Sequence, residues 1–236
     1  MAGVKKQTMI RLNKYLAENT SLSRRDADKA VADGRITVNG VPAEGPWVQV
    51  DSSSVVTLDG KRVGLEDYFY WAFYKPVQIL TAYGDGHGKD TLEVFPMLAE
   101  KKPAYSGRLD YESEGLIIFS NDGDFIRKLQ KSEEKIQKEY IVSVSRQLTQ
   151  EQIDILKKGI TYEGIDYLPC IVTKQDEKRY RVILHEGKKR QIRNMFRHFH
   201  IQVRRLKRVR VGRINLDGMK PGEMRVLTQK DLEGMI

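Results

Sequence analysis

Short apolar runs of strand length dominate the sequence of this 236-residue chain. Such runs, rich in β-branched and aromatic residues, predict β-strands at 68–74, 116–120, 139–144, 168–173 and 180–184. Helical periodicity is found at fewer places, namely 124–130, 150–158 and 190–199. Because several strands are close enough in sequence to pair as hairpins, we predict an α+β domain over 68–236 with a mainly antiparallel, mixed sheet.

Residues 9–60 predict a separate, smaller module of two helices and several short strands. The first helix carries four apolar residues on one side, namely Ile10, Leu12, Tyr15 and Leu16. Ser23 is a favourable N-cap for the second helix, and Gly34 ends it. Asn39-Gly40 predicts a two-residue hairpin turn, and the polar residues 61–67 predict a linker to the larger domain.

The cysteine count and the hydropathy of the sequence argue against a disulfide-stabilised fold and against a transmembrane helix. The single cysteine, Cys170, cannot form an internal disulfide, and no apolar run approaches the roughly 18 residues that a membrane helix needs. The sequence also shows no secretory signal. We therefore expect a cytoplasmic protein without membrane contact, and we expect it to be a monomer.

The net charge of +9 is concentrated in one segment. Residues 181–213 contain twelve Lys or Arg and one acid, Glu186, so this segment carries +11, whereas the remaining 29 basic and 31 acidic residues sum to −2. Concentrated positive charge is typical of proteins that bind a polyanion such as a nucleic acid. An anionic membrane surface is the competing interpretation.

The helix predicted at 190–199 separates apolar and basic side chains onto opposite faces. The apolar face is expected to pack into the core and consists of Ile192, Met195, Phe196 and Phe199. The opposite face consists of Arg190, Arg193 and Arg197. A merely solvated helix usually interleaves acids with such bases, and this one has none. We therefore expect the basic face to meet an anion.

Asp110 is the one carboxylate whose surroundings suggest chemistry. It lies beside Arg108 and five residues before Gly115, where an apolar strand begins. An ionised carboxylate there could act as a nucleophile, a general base or a cation partner, or simply accept local backbone hydrogen bonds in a turn. His198 and His200 are two residues apart and do not share a helix face, so no metal site is predicted, and motifs for nucleotide cofactors are missing.

Several segments acquire a specific meaning when they are taken together and in order. They lie at 11–16, 23–25, 34–40, 107–116 (Gly-Arg-Leu-Asp-Tyr-Glu-Ser-Glu-Gly-Leu), 120–123, 138–140 (Lys-Glu-Tyr), 186–193 and 221–223. The series resembles the ribosomal-RNA pseudouridine synthases of the branch with an N-terminal S4-type RNA-binding domain. One departure is at 74–78, Tyr-Lys-Pro-Val-Gln, where the family commonly has Asn-Lys-Pro-x-Gly, so we expect this loop to be shaped differently.

The resemblance assigns roles to four residues. Asp110 matches the catalytic aspartate, and Arg193 matches the arginine that pairs with it. Tyr140 matches the tyrosine that packs against the target uracil and is implicated in proton removal at C5. Arg108 matches the arginine that takes the place of the flipped-out nucleotide. The implied reaction is isomerisation of uridine to pseudouridine without metal or cofactor, and whether Asp110 attacks the sugar or the base stays open.

The resemblance and the charge pattern together predict RNA contacts in both domains. In the S4-type module these are Arg11, Lys14, Arg24, Arg25 and Lys29. In the larger domain they are Arg108, Lys188, Lys189, Arg190 and Arg197. Because phosphate contacts position a protein on RNA without reading its sequence, these residues do not identify the target uridine.

Three alternatives to a large-subunit ribosomal-RNA enzyme follow from the same sequence. A small-subunit enzyme would share these motifs. A non-catalytic ribosome assembly factor could keep the fold, but the presence of Asp110, Tyr140 and Arg193 together argues against it. A DNA-binding regulator that uses residues 9–35 as a helix-turn-helix is disfavoured, because nothing in the sequence indicates a dimer.

Overall fold

The computed structural model of the chain describes residues 9–51, 54–64, 68–130 and 136–235. The chain divides into two compact units. The first comprises the chain up to Tyr68 together with Glu100–Pro103, and the second comprises Phe69–Ala99 and the chain from Ala104 onward. Within the described ranges, no helix is both long enough and apolar enough to span a lipid bilayer.

The first unit consists of helices and short strands around a core of its own. Its elements are β1 (Ile10–Arg11), α1 (Leu12–Asn19), α2 (Arg24–Ala32), β2 (Ile36–Val38), β3 (Val41–Pro42), β4 (Gln49–Val50), β5 (Val56–Leu58) and β6 (Lys61–Val63). The order β3-β2-β5-β6 forms one antiparallel sheet, and β1 pairs with β4. The core side chains come from both helices and from the strands, and include Leu12, Leu16, Ala27, Ile36 and Val56.

The predicted local signals act in this unit. The hydroxyl of Ser23 accepts a hydrogen bond from the backbone N–H of Asp26, whose carboxylate accepts one from the N–H of Ser23, so α2 begins with a capping box. Asn39 and Gly40 adopt φ of 52° and 83° and join β2 to β3. The helix α1 begins at Leu12, two residues later than its apolar pattern suggested, because the two preceding residues form β1.

The linker predicted at 61–67 is wrong for its first three residues. Lys61–Val63 form β6 and pair with β5 through the turn at Asp59-Gly60, where both residues adopt positive φ. The side chain of Val63 is buried in the core of this unit. Polar composition alone concealed this strand, since only one of its three residues is apolar. Residues 65–67 of the predicted linker lie outside the described part of the chain.

The elements that follow Tyr68 alternate between strands and short helices. They are β7 (Tyr70–Lys75), a 3-10 turn (Leu92–Val94), α3 (Pro96–Lys101), β8 (Ala104–Tyr105), β9 (Glu114–Ser120), α4 (Gly123–Gln130), β10 (Lys138–Val144), α5 (Gln150–Lys158), β11 (Ile160–Tyr162), β12 (Ile165–Tyr167), β13 (Ile171–Lys174), β14 (Arg179–Leu184), α6 (Gln191–Arg197), β15 (Val203–Val211), β16 (Ile214–Asn215), β17 (Met224–Val226) and α7 (Gln229–Leu232).

One large sheet organises the second unit. Its strand order is β13-β14-β10-β15-β9-β7-β17, with β16 added to β15 and β8 added to β9. The pair β15 and β9 is parallel, whereas the other described pairs in this sheet are antiparallel. The predicted α+β class with a mainly antiparallel, mixed sheet is confirmed.

Both faces of this sheet are buried at β7 and β9, where successive side chains point to opposite sides. In β7, Trp71 and Phe73 belong to one apolar cluster, whereas Ala72 and Tyr74 belong to another. The same alternation divides the side chains of β9, all of which are buried. Central strands covered on both sides read as continuous apolar runs, which is why β7 and β9 were predictable.

Two predictions for this unit need correction, and one long strand was missed. The helix predicted at 190–199 is shorter, because Arg190 adopts a left-handed N-cap conformation and α6 ends at Arg197. The strand predicted at 168–173 begins only at Ile171 and runs to Lys174. The nine-residue strand β15 was not predicted at all, since five of its residues are basic and its apolar residues do not alternate regularly.

Gly115 allows the parallel pair at the centre of the sheet to form. It adopts φ of 117°, and a Cβ atom at this position would lie 2.2 Å from the carbonyl oxygen of Arg208 and 2.6 Å from its nitrogen. Both contacts are with backbone atoms of β15, which cannot move aside as a flexible side chain could. Position 115, five residues after Asp110, must therefore be glycine.

We predict that Gly115→Ala lowers the free energy of unfolding by about 2 to 5 kcal/mol, since an unfavourable φ and an overpacked contact act together. The matched control is Gly164→Ala, whose φ is 73° but which has no atom within 4 Å of the added Cβ, so that only the conformational cost of about 1 to 2 kcal/mol applies. Urea unfolding of both variants measures the difference. Equal destabilisation would refute the proposed steric role of position 115.

Candidate active site

A cleft of about 700 Å³ opens on one side of the large sheet. Its walls come from segments far apart in the sequence: the loop before β9, the strands β10 and β15, and the chain between β14 and α6. The lining residues that matter below are Arg108, Asp110, Lys138, Tyr140, Lys188, Lys189, Arg190, Leu206 and Arg208. The cleft therefore collects most of the residues singled out in the second unit.

Backbone hydrogen bonds hold the loop that carries Asp110. The hydroxyl of Thr81 donates to the carbonyl of Leu109 (2.7 Å) and accepts from its N–H (3.1 Å). The N–H of Gln78 donates to the carbonyl of Tyr111 at 2.7 Å. Gln78 occupies the position where the family commonly has glycine, and its φ of 62° is the left-handed conformation that favours glycine. The loop is thus anchored on both sides of Asp110.

Asp110 and Arg193 face each other without a direct hydrogen bond. The Nε atom of Arg193 lies 3.9 Å from the Oδ2 atom of Asp110, and this buried Nε has no hydrogen-bond partner among the described residues. The side chain of Asp110 is 31% exposed, whereas that of Arg193 is 8% exposed. Asp110 is therefore reachable from the cleft while its cationic neighbour is enclosed.

The guanidinium of Arg193 is fixed by acceptors on neighbouring segments. It donates to the carbonyls of Val203 (3.2 Å) and Glu112 (3.1 Å) and to the hydroxyl of Ser113 (3.2 Å). Burial lowers its pKa from the usual value, and the negative charges of Glu112 and Asp110 act against that shift. The helical pattern suggested that Arg193 shares an exposed basic face with Arg190 and Arg197. This is wrong, because the side chain of Arg193 is enclosed.

Tyr140 contributes a buried aromatic side chain to the same cleft. It lies in β10 and stands opposite Val182 of β14 and Arg208 of β15. Because β10 is flanked on both sides, the backbone around Tyr140 is held by two ladders of hydrogen bonds. The ring therefore forms a firm wall against which a flat base could pack.

Exposed cations surround the mouth of the cleft. Arg108, Lys188 and Lys189 are exposed, and Arg190 is partly exposed. Lys188 lies 3.2 Å from the carboxylate of Glu186, which is buried and also accepts hydrogen bonds from the side chain of Gln191 and the backbone of Leu168.

A second groove, of about 660 Å³, shares Arg190 with the cleft. Its lining includes Glu112, Arg190, Arg193, Arg197, His200 and Arg204. Arg197 therefore belongs to this groove and does not line the cleft. Since four of these residues are arginines against one carboxylate, the groove is an electropositive continuation of the cleft mouth.

The basic residues predicted in the first unit lie on its surface. Arg11, Arg24, Arg25 and Lys29 are exposed, and Lys14 is partly buried with its ammonium 3.6 Å from Glu18. Arg24, Arg25 and Lys29 all belong to α2.

The sequence interpretation did not assign a role to two buried cations of the cleft, Lys138 and Arg208. Arg208 is 2% exposed and donates from Nε to the carbonyl of Leu116 at 2.7 Å. Burial lowers the pKa of Lys138 to about 8, and the positive charge of Arg208 acts in the same direction. The sequence did contain a signal for Lys138. Side chains in a strand alternate with a period of two residues, so Lys138 shares a face of β10 with Tyr140.

The site combines a carboxylate next to a buried, hydrogen-bonded arginine, an aromatic side chain in the wall of the cleft, and basic side chains at its entrance. The described residues contain no group of three or more His, Cys, Asp or Glu side chains that could hold a metal ion. An ionised carboxylate can attack an electrophilic carbon. The aromatic and apolar walls suit an extruded base, and the basic mouth suits the phosphates on either side of it.

Comparison with known proteins agrees with this geometry. Residues 69–198 match the family model described as RNA pseudouridylate synthase. The dual-specificity RNA pseudouridine synthase RluF of Escherichia coli K12 is 35% identical over 226 residues, which cover 94% of this chain and 77% of that protein. The ribosomal large subunit pseudouridine synthase B of Bacillus subtilis is 31% identical over 231 residues, which cover 95% of each protein.

A crystal structure of a pseudouridylate synthase superposes on this chain with a TM-score of 0.70 and 25% sequence identity, covering 96% of this chain and 100% of the other. The resemblance drawn from the sequence motifs is thereby confirmed. The match extends well beyond the cleft, since it includes most of the chain in both relatives. This chain belongs to the RNA pseudouridine synthase family.

Proposed function

We propose that this enzyme converts a specific uridine of large-subunit ribosomal RNA to pseudouridine, with Asp110 as the attacking carboxylate. The observation that supports this most is that Asp110 from a loop and Tyr140 from a strand line one cleft, while Arg193 from a helix lies 3.9 Å from the Asp110 carboxylate. The name of the Bacillus subtilis relative supports the large subunit as the source of the substrate.

The reaction begins when the target nucleotide leaves its helix and enters the cleft. Extrusion costs a few kcal/mol of stacking and pairing, which the walls of the cleft compensate by covering the base. Asp110 then attacks either C1′ of the ribose or C6 of the base. In both cases the bond between N1 and C1′ breaks, the base turns and C5 bonds to C1′. The bond to Asp110 then breaks, by displacement at C1′ or by elimination from C6, the proton on C5 is lost and N1 gains a proton.

Three side chains assist this sequence. Arg193 places a positive charge beside Asp110 without a direct hydrogen bond, which leaves the carboxylate oxygens available. Tyr140 covers one face of the uracil and takes part in removing the proton from C5. Arg108, which is exposed at the cleft, occupies the space that the flipped nucleotide leaves in the RNA.

The basic residues outside the reacting centre hold the RNA backbone. Lys188, Lys189 and Arg190 bind phosphates at the mouth of the cleft, and Arg197 binds one in the adjoining groove. The first unit, an S4-type domain that includes β6, supplies a second RNA contact through its exposed basic residues and so raises the effective concentration of the substrate at the cleft. The enzyme works as a monomer in the cytoplasm, away from membranes.

We predict that Asp110→Asn lowers the rate of isomerisation by more than about 1,000-fold, because an amide cannot act as the nucleophile. Release of tritium from ribosomal RNA labelled at uracil C5 measures turnover, and filter binding measures affinity, which we expect to change little. Asp217→Asn, the same exchange at an exposed residue outside the cleft lining, should behave like the wild type. Tight binding by a wild-type enzyme that released no tritium would favour the non-catalytic assembly factor instead.

The position of Arg197 in the groove beside the cleft leads to a prediction about how RNA affinity depends on salt concentration. If Arg197 binds a phosphate, Arg197→Gln should weaken RNA binding and reduce the slope of log affinity against log salt by about 1. The rate at saturating enzyme should stay near the wild-type value, since Arg197 does not line the cleft. An unchanged slope would show that no phosphate is bound there.

Mapping of pseudouridines in ribosomal RNA identifies the substrate. Cells that lack the gene should lose the modification at one or a few positions of the large-subunit RNA, and a plasmid copy of the wild-type gene should restore it. The Asp110→Asn variant should not restore it. Loss confined to small-subunit RNA would transfer the assignment to that subunit.

A further inference from the structure

We propose that Lys138 is a further catalytic residue, whose ammonium donates a hydrogen bond to a carbonyl oxygen of the target pyrimidine and stabilises the negative charge that develops there. This proposal rests on the proposed function. It assigns to a buried lysine a direct contact with the reacting base.

The position of Lys138 places it beside the aromatic wall of the cleft. It is the first residue of β10, two residues before Tyr140, so both side chains leave the strand on the same side. Its partners across the sheet are Leu184 of β14 and Val211 of β15, so its backbone is held on two sides. Both Lys138 and Tyr140 line the cleft.

The environment of Lys138 provides burial without an anion. The residue is 7% exposed, and among the described residues no hydrogen bond and no negative charge acts on its ammonium. The charged neighbour that acts on it, Arg208, is also positive and also lines the cleft. A buried cation without a partner destabilises a fold. The substrate can supply the missing acceptor, because the ammonium borders the cleft.

A second buried lysine among the described residues of this unit shows the contrast. Lys75 is fully buried, yet its ammonium donates to the carbonyls of Pro76 (2.6 Å) and Ile79 (2.7 Å). Burial lowers the pKa of both lysines to about 8. Lys75 is therefore satisfied within the protein, whereas Lys138 keeps its hydrogen-bonding capacity for the cleft.

The chemistry of the reaction explains why a base oxygen is the acceptor rather than a phosphate. When the N1–C1′ bond breaks heterolytically, N1 keeps the electron pair, and the charge spreads to the carbonyl oxygens of the ring. If Asp110 adds to C6 instead, the electrons of the C5–C6 double bond move to O4. Phosphates remain at the wet mouth of the cleft, where exposed cations are available, whereas the base enters the enclosed part with Tyr140.

The test compares Lys138→Met with the wild type in single-turnover reactions with enzyme in excess. The probe is large-subunit ribosomal RNA transcribed with uridine tritiated at C5. Because a hydrogen-bond donor to a developing charge contributes about 100- to 1,000-fold, we expect the saturating rate to fall by at least about 100-fold. We expect the RNA dissociation constant to stay within about 3-fold, since the contact strengthens chiefly during the reaction. Release by the wild type tests the proposed function separately.

Thermal unfolding separates catalysis from a structural role. Methionine has nearly the length of lysine without its charge, so Lys138→Met should unfold at or above the wild-type temperature. The matched control, Lys220→Met, changes an exposed lysine outside the cleft and should alter neither rate nor affinity. A saturating rate near that of the wild type would overturn the proposal, as would a loss confined to affinity, which indicates a phosphate contact. A joint fall in melting temperature and rate would also overturn it, because it indicates a structural role.

Discussion

The close approach of two backbones at Gly115 and Arg208 determines the geometry of the rest of the second unit. It lets β15 lie parallel to β9, and β15 in turn pairs with β10 on its other side. The strand that carries Tyr140 and Lys138 is thereby placed two positions from the strand that follows Asp110. A side chain at position 115 would separate these strands, so the residues of the cleft are brought together by the absence of one carbon atom.

The treatment of positive charge differs between the interior and the surface of this unit. Arg193, Arg208 and Lys75 are buried, and main-chain carbonyls accept hydrogen bonds from each of them. Carbonyl dipoles stabilise these cations but carry no net charge. A carboxylate, by contrast, would neutralise them. The interior around Asp110 therefore stays electropositive, while the exposed arginines and lysines at the cleft mouth and in the adjoining groove extend that potential into solvent. The basic side chains around Asp110 and those that face RNA thus belong to one continuous positive region.

Local signals made part of this structure predictable, and long-range pairing limited the rest. The helix α5 has the predicted bounds because Thr149 and Gln152 form its capping box. The strand β15 was missed because its basic sequence becomes a strand only between β9 and β10. The burial of Arg193 was hidden for a similar reason, since helical spacing gives the direction of a long side chain but not the segments that enclose it. The motif around Asp110 identified the family. That the ammonium of Lys138 has no partner among the described residues could be learned only from the structure.

The anchoring of the Asp110 loop has an evolutionary consequence. Its hydrogen bonds to Thr81 and Gln78 involve the backbone of Leu109 and Tyr111 rather than their side chains. Mutations that change the side chains of Tyr111 and Glu112 therefore leave these anchors intact. Substitutions can therefore accumulate in this part of the surface while the backbone anchors keep Asp110 in place.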